Sequence, residues 1–358
     1  MQKSAICPAD AIYPAGEKGI YFMSYASEAS VYQTFIVKNI FKKGVTMKVA
    51  IIGTGNVGKT VFHDLQDVNL VREITLIGRN KSKAEAEVAD AKDAAVLWEE
   101  YGPKLDFGGY EKTEGADIII YTAGSSKVAT DRMEMLHSNC VIAEEVFTQI
   151  NRYNRDAIIL CVTNPLDVIT MKIQQVTGRD ARKVIGSGTL LDTARLVRTV
   201  AELLEVSDRQ INIPVVGEHG ASAVSLLSSF RIMGMTMDEY LKSVTDTDMA
   251  LNVKALENNF QKAGFRIFDG KGYTSTGVSA AVCRLVASIA ADSREILPVS
   301  SVLQGEYGVQ GVAASVLSII GRNGIEDIHE VIMTEEERSA FLKSVDTIRQ
   351  AAKSEGII

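Results

Sequence analysis

Short apolar runs recur along the chain: Val49-Ala50-Ile51-Ile52, Ile74-Thr75-Leu76-Ile77, Ile118-Ile119-Ile120-Tyr121 and Ile158-Ile159-Leu160-Cys161-Val162. They scarcely alternate polar with apolar positions, which is the pattern of strands covered on both faces. Helix-length stretches of mixed polarity separate most of them, so the pattern predicts crossover helices around a doubly wound parallel α/β sheet. This first domain is expected to span 47–187, closing near Ile185 to Ser187. Beyond it the pattern predicts a long helix from Leu190 to Leu204, a strand from Ile211 to Val216, further helices, and a charged last helix from Thr334 onward. That succession implies a second, mixed α+β domain over 188–358. Neither a repeat nor a low-complexity linker intervenes, so the two are expected to pack closely.

Residues 1–46 stand outside this pattern. They contain no arginine, and Pro14, Gly16, Glu17 and Lys18 interrupt any apolar stretch, so neither a signal nor a transit peptide fits. Lys42-Lys43-Gly44-Val45-Thr46 can be encoded by purine-rich codons resembling a bacterial ribosome-binding sequence ahead of Met47. The expectation is an upstream-extended reading frame with no part in the fold. The alternative is an arm that packs on a neighbouring subunit.

Composition narrows the function. The 358 residues are 46% hydrophobic and 23% charged, as in globular enzymes, and excess acidity gives a formal charge of −7. Global electrostatics therefore do not favour nucleic acid or an anionic membrane. Cys7, Cys140, Cys161 and Cys283 lack the close pairing of a zinc site, so neither a metal site nor a disulfide framework is expected and a reducing cytosol suits the chain. No apolar run reaches the roughly 18 residues of a membrane helix.

Directly after the first apolar run stands Gly53-Thr54-Gly55-Asn56-Val57-Gly58-Lys59-Thr60. It matches the dinucleotide fingerprint G-x-G-x-x-G and the triphosphate loop G-x-x-x-x-G-K-[ST] at once. Both place backbone N–H groups and a helix N-terminus against phosphate. The triphosphate reading lacks a second half, because the Ile118 run has Asp117 before it and continues into Thr122-Ala123-Gly124 rather than ending in an acid.

Further on, Gly186-Ser187-Gly188-Thr189-Leu190-Leu191-Asp192-Thr193-Ala194-Arg195 enters a helix with Asp192 and Arg195 on one face. Read alone, Thr189 and Asp192 are equally well a helix cap, with Arg195 a solvated charge. Gly217-Glu218-His219-Gly220, at the expected end of the Ile211 strand, puts an imidazole on a loop between glycines. His63, His137 and His329 lie within or beside helical patterns and read as surface or packing residues.

These segments, with Asn164-Pro165-Leu166-Asp167 and Lys271-Gly272-Tyr273-Thr274, resemble the L-lactate/malate dehydrogenase family in order and spacing from residue 47 to about 355. The resemblance is greatest to L-lactate and L-2-hydroxyisocaproate dehydrogenases. It implies a Rossmann sheet followed by a substrate domain, and hydride transfer between a nicotinamide cofactor and an L-2-hydroxy acid/2-oxo acid pair. His219 would then be the proton donor, oriented by Asp192; Arg195 would clamp the substrate carboxylate; Arg132 would polarise the carbonyl from a closing loop. Asn164 would hold the reacting oxygen and Thr274 would line the side-chain pocket. Gly53, Gly55, Asn56, Val57, Gly58, Gly78, Arg79, Thr122, Ala123, Gly124, Asn139, Val162 and Asn164 would face the cofactor. A homodimer or homotetramer is implied.

The chain departs from the family pattern in three places. The loop Ser125-Ser126-Lys127-Val128-Ala129-Thr130-Asp131-Arg132 is about one residue short and lacks Pro-Gly; Lys127 is its one candidate for a distal carboxylate, as a malate dehydrogenase would need; Ala221 replaces a polar residue after Gly220. A P-loop NTPase and a catalytically inactive nucleotide sensor are the rival readings. The second strand ends Leu76-Ile77-Gly78-Arg79-Asn80-Lys81, with glycine where NAD users carry an acid for the adenosine ribose. NAD is the family default, and Gly78 with Arg79 leads to the expectation that NADP(H) is accepted or preferred.

Overall fold

The computed structural model describes residues 46–97, 102–125, 132–243, 267 and 269–358. The expected extension lies outside them but for its last residue. Residues 45–358 form one compact unit.

Its centre is a parallel half-sheet. Strands β1 (Met47–Ile52), β2 (Val71–Ile77), β3 (Lys104–Gly108), β4 (Ile118–Tyr121), β5 (Ile158–Cys161) and β6 (Val184–Gly186) lie in the order 6-5-4-1-2-3, each parallel to its neighbour. Residues of β4 and β5 are buried throughout, which explains why these strands read as unbroken apolar runs. The crossovers carry α1 (Asn56–Asp64), α2 (Lys81–Val96), α3 (Arg132–Ile150) and α4 (Leu166–Thr177).

After β6 come α5 (Leu190–Leu204), the two-residue strands β7 (Ile211–Asn212), β8 (Val215–Val216), β9 (Val224–Ser225) and β10 (Arg231–Ile232), then α6 (Met237–Ser243) and α7 (Thr276–Ala291). The single strand expected over 211–216 is therefore two. Pro214 has no N–H to give to a ladder, and the chain changes partner there: β7 pairs with β10, β8 with β9. Against the expected helical surroundings, His329 follows a strand, β13 (Gly324–Ile328), and is exposed.

The apolar pattern does not reveal the long antiparallel meander β11 (Glu295–Gln304), β12 (Gln310–Gly321) and β13. It joins β6 through Ser300 opposite Gly186, so one nine-stranded sheet, 13-12-11-6-5-4-1-2-3, runs through both sequence halves. Ser300, Ser301, Ser315 and Ser318 are buried within β11 and β12, where serine interrupts the hydrophobic signature. The last helix, α8 (Glu335–Ser354), begins as expected at Thr334, whose side chain accepts from Glu337 N–H in a reciprocal capping box.

The main core joins β1, β4 and β5 to α3, α4, β12 and α8: Ile119, Phe147, Ile159, Ile169, Val316 and Phe341 all belong to it. A smaller core packs α5 against the short strands through Leu196, Val200, Ile213 and Phe230.

The join of β11 to β6 requires glycine. A Cβ on Gly188, whose φ is +58°, would stand 2.8 Å from Ser300 N and from Val299 Cα, and one on Gly186 would stand 3.1 Å from Ser300 Cβ. Left-handed strain and backbone overlap each cost about 1–3 kcal/mol. Gly188→Ala is therefore expected to lower unfolding stability by about 2–6 kcal/mol in urea titrations, and an unchanged midpoint would mean that β11 does not approach so closely.

Candidate active site

The loop after β1 is shaped by what glycine leaves out. A Cβ on Gly58 would lie 2.0 Å from Gly53 O and one on Gly53, at φ +123°, 2.5 Å from Thr122 Oγ1, so both positions exist for close packing of α1 on the sheet. At Gly55 nothing lies within 4 Å of such a Cβ. Gly55 is also the N-cap of α1, without a side-chain cap, and the first turn holds no acid. Unoccupied N–H groups, the helix dipole and open space fit the pyrophosphate of a dinucleotide.

The residues that a triphosphate loop needs are turned to other work. Lys59 Nζ pairs with Glu87 of α2 at 3.5 Å, and Thr60 Oγ1 donates to Asn56 O at 2.8 Å. No cluster of three metal-ligating side chains occurs among the described residues. At the end of β2, Gly78 lies against Thr54, while Arg79 and Lys81 are exposed.

Thr122, Ala123 and Gly124 follow β4, with Thr122 Oγ1 donating to Ile52 O at 3.0 Å. Asn139, expected to face the cofactor, is buried in α3. Its Oδ1 accepts from Ser125 N–H at 2.7 Å and its Nδ2 donates to Asn164 O at 2.7 Å, so its amide braces two strand-end loops against each other. Val162 and Asn164 follow β5, with Asn164 exposed.

The helix α5 and the β8–β9 turn bring His219 to Asp192 and Arg195, 27 and 24 residues before it in the chain. His219 Nδ1 and Asp192 Oδ2 are 2.6 Å apart, and Arg195 Nη1 donates to Asp192 Oδ1 at 3.1 Å. Asp192 is thus not a helix cap. Thr189, its supposed partner in that reading, donates instead to Val215 O at 2.5 Å, and Val215 N–H donates to Thr193 Oγ1 at 3.0 Å, tying the first turn of α5 to β8. Nor is Arg195 a solvated charge, with a side chain only 14% exposed; its remaining guanidinium nitrogens have no partner among the described residues.

The His219 loop is held from behind. Gly217 and Ser315 of β12 exchange both backbone hydrogen bonds at 2.9 Å, and Glu218 N–H donates to Ser344 Oγ of α8 at 2.8 Å. Burial works against a charged His219 ring, but the hydrogen bond and charge of Asp192 outweigh it and hold the imidazole above its ordinary pKa. Burial likewise opposes ionisation of Asp192, and the His219 and Arg195 bonds keep its carboxyl below the usual range.

Two cavities flank the pair. One, of about 380 Å³, is lined by His219 with Leu136, Leu166, Val168, Ile348 and Ala351 among others; the second, about 430 Å³, contains Arg195 and Thr274. Asp167 and Glu218 line the first, and neither lysine nor arginine does so among the described residues. The side chain of Arg132, whose backbone opens α3, and Lys127 lie outside the described residues.

Two family profiles match the chain: lactate/malate dehydrogenase, NAD binding domain, over 47–186, and lactate/malate dehydrogenase, alpha/beta C-terminal domain, over 189–355. The chain belongs to the lactate/malate dehydrogenase family. It is 36% identical to L-lactate dehydrogenase 1 of Clostridium acetobutylicum over 309 residues, 86% of this chain and 98% of the relative. It is 35% identical to the L-lactate dehydrogenase of Acetivibrio thermocellus over 87% of this chain and 98% of that one. The crystal structure of a minor L-lactate dehydrogenase from Enterococcus mundtii superposes with a TM-score of 0.81 at 30% identity, covering 87% of this chain and 98% of that chain. As a lactate/malate dehydrogenase family member, the chain is an NAD-dependent dehydrogenase acting between 2-hydroxy and 2-oxo acids. The triphosphatase and sensor alternatives are not favoured.

Sequence reasoning assigned no role to Asp167 or Ser300. Asp167 lay in a quoted motif; Ser300 carried no signal, because nothing in the local pattern marks a buried serine of an unforeseen strand.

The balance at His219 has a measurable sign. Its NMR titration midpoint is expected above the ordinary value of about 6.5, and Asp192→Asn should lower it, because burial and the Arg195 charge are then opposed only by the charge of Asp167. A wild-type midpoint below 6.5, or one indifferent to Asp192→Asn, would contradict this geometry.

Proposed function

We propose that this dehydrogenase acts on 2-oxo acids whose side chains are uncharged and apolar, lactate-type or larger, and that it accepts NADP(H). The observation that carries the substrate reading is the His219–Asp192 pair at 2.6 Å, opening on an apolar cavity of about 380 Å³. A methyl side chain needs only a fraction of that space. A dicarboxylic substrate would find neither lysine nor arginine among the described lining residues there to receive its second carboxylate, and Asp167 and Glu218 add negative charge to that wall. The malate alternative, which depends on Lys127, is therefore the weaker reading.

The chain's own residues divide the work. With Nδ1 committed to Asp192, His219 keeps Nε2 for the proton given to the carbonyl oxygen in reduction and taken back in oxidation. Asp192 fixes the tautomer and stabilises the ring cation. Arg195, charged and short of partners, holds the substrate carboxylate through two parallel hydrogen bonds from the second cavity, of about 430 Å³, which Thr274 also lines. Asn164 and Arg132 complete the set, the first at the reacting oxygen and the second polarising the carbonyl. The bound nicotinamide supplies or receives the hydride. Assembly as a homodimer or homotetramer is part of this reading, and light scattering measures it.

His219→Gln is expected to reduce turnover by about 10²–10⁴-fold with cofactor affinity nearly unchanged. Retained turnover would sink the assignment. In a panel of 2-oxo acids, pyruvate and branched apolar acids should exceed oxaloacetate in kcat/KM; the reverse order would favour the malate reading.

The cofactor reading rests on the end of β2. Gly78 presents no carboxylate to accept ribose hydroxyls or repel a 2′-phosphate, and Arg79 beside it is exposed. A charge-assisted hydrogen bond contributes about 1.5–3 kcal/mol, and tenfold in affinity is about 1.4 kcal/mol. Arg79→Val should thus lower kcat/KM for NADPH about tenfold or more while changing that for NADH little. Equal loss with both cofactors would identify Arg79 as an adenine contact instead.

A further inference from the structure

We propose that Asp167 and Ser300 act as a positioning pair for His219, holding its peptide N–H and adding a second buried carboxylate to that of Asp192 near the imidazole. The proposal rests on the reading of His219 as the proton carrier.

Asp167 sits in the first turn of α4, where an acid ordinarily turns to the free N–H groups of its own helix. Its oxygens go elsewhere. Oδ2 accepts the backbone N–H of His219 at 2.9 Å, and Oδ1 accepts the hydroxyl of Ser300 at 2.6 Å. The two partners come from separate parts of the chain, 52 residues after Asp167 and 133 residues after it. Both Asp167 and Ser300 are buried, at 3% and 0% exposure. A buried carboxylate is a costly way to fasten a loop that a neutral amide could hold.

The expense has a local result. Burial pushes the Asp167 carboxyl up to about 6, against the Ser300 and His219 hydrogen bonds, so these donors are what keep it ionised near neutrality. Ionised, it favours the charged imidazole, adding to Asp192. The other groups facing this site are known. Glu218, the residue before His219, sends its carboxylate to Ser222 N and Oγ; Arg195 lies beyond Asp192 and opposes charge on the ring; Cys161 at the end of β5 is pushed up to about 12 and stays neutral. Ser300 is carried to its place by β11, at the one residue that pairs with Gly186 of β6.

Asp167→Asn keeps the shape and one acceptor but removes the charge. It is expected to lower kcat about 10–100-fold, to change the oxo-acid KM and the cofactor Kd less than about threefold, and to move the His219 NMR midpoint downward. Ser300→Ala, which removes one donor and leaves the carboxylate in place, should lower kcat at least about threefold and shift the acid limb of the kcat–pH profile to higher pH. If both variants keep wild-type kcat and an unmoved His219 midpoint, whatever their melting temperatures, the pair is only structural and the proposal fails. Should Asp167→Asn not fold, the Ser300→Ala profile decides alone: a profile superimposable on wild type overturns the proposal. His219→Gln separates the two readings, since turnover retained in that variant would remove His219 as proton carrier, while the titration midpoint in the Asp167 and Ser300 variants still reports on the pair.

Discussion

The close approach of β11 to the Gly186–Gly188 segment is the contact on which the rest of the molecule turns. It stitches an antiparallel meander onto a parallel sheet, and the stitch tolerates no side chain at Gly188. From that register follow Ser300 beneath Asp167 and, one strand further out, Ser315 bonded to Gly217. The loop that carries His219 therefore hangs from the sheet by backbone hydrogen bonds on one side and from a buried carboxylate on another. The imidazole owes its place to strands that are far from it in sequence.

Electrostatics at this point are arranged around one proton. Asp192 bonds the imidazole of His219, Asp167 holds the same residue by its backbone N–H, and Arg195 bonds the Asp192 carboxylate. Each carboxylate is buried and accepts a hydrogen bond on both oxygens, so burial does not leave its charge stranded. The cluster favours a protonated imidazole, which suits reduction of a carbonyl. An apolar cavity beside it lowers the local dielectric and offers a side chain somewhere to go.

The cofactor end of the sheet obeys a different economy. There the functional groups are backbone N–H donors and empty space, and side chains matter by staying away. Gly53 and Gly58 let α1 press on the sheet, Gly55 leaves the entrance open, and Lys59 and Thr60 are occupied within the helical layer. Within the same eight letters, Lys59 and Thr60, the residues a triphosphate loop would use, are instead bonded to Glu87 of α2 and to Asn56 O.

The sequence by itself determined the parallel half-sheet, the glycine loop, the α5 helix over Leu190 to Leu204 and the capped start of α8, because each follows from local patterning: apolar runs, glycine spacing, helical period, a Thr-x-x-Glu box. It also put Asp192, Arg195 and His219 in motifs whose order and spacing pointed to the family. The segment around Asp192 read alone fits a helix cap as well as a carboxylate aimed at a histidine, since both use the same residues at the same spacing; the 2.6 Å contact with a histidine 27 residues away exists only in the folded chain. The sequence could not find β11 to β13, whose buried serines and alanines resemble neither a half-buried strand nor an apolar one. Nor could it give Asp167 a role, because both donors to that carboxylate arrive from other parts of the chain. Such contacts exist only once the sheet has closed across its two halves, and long-range packing of this kind leaves no local pattern to read.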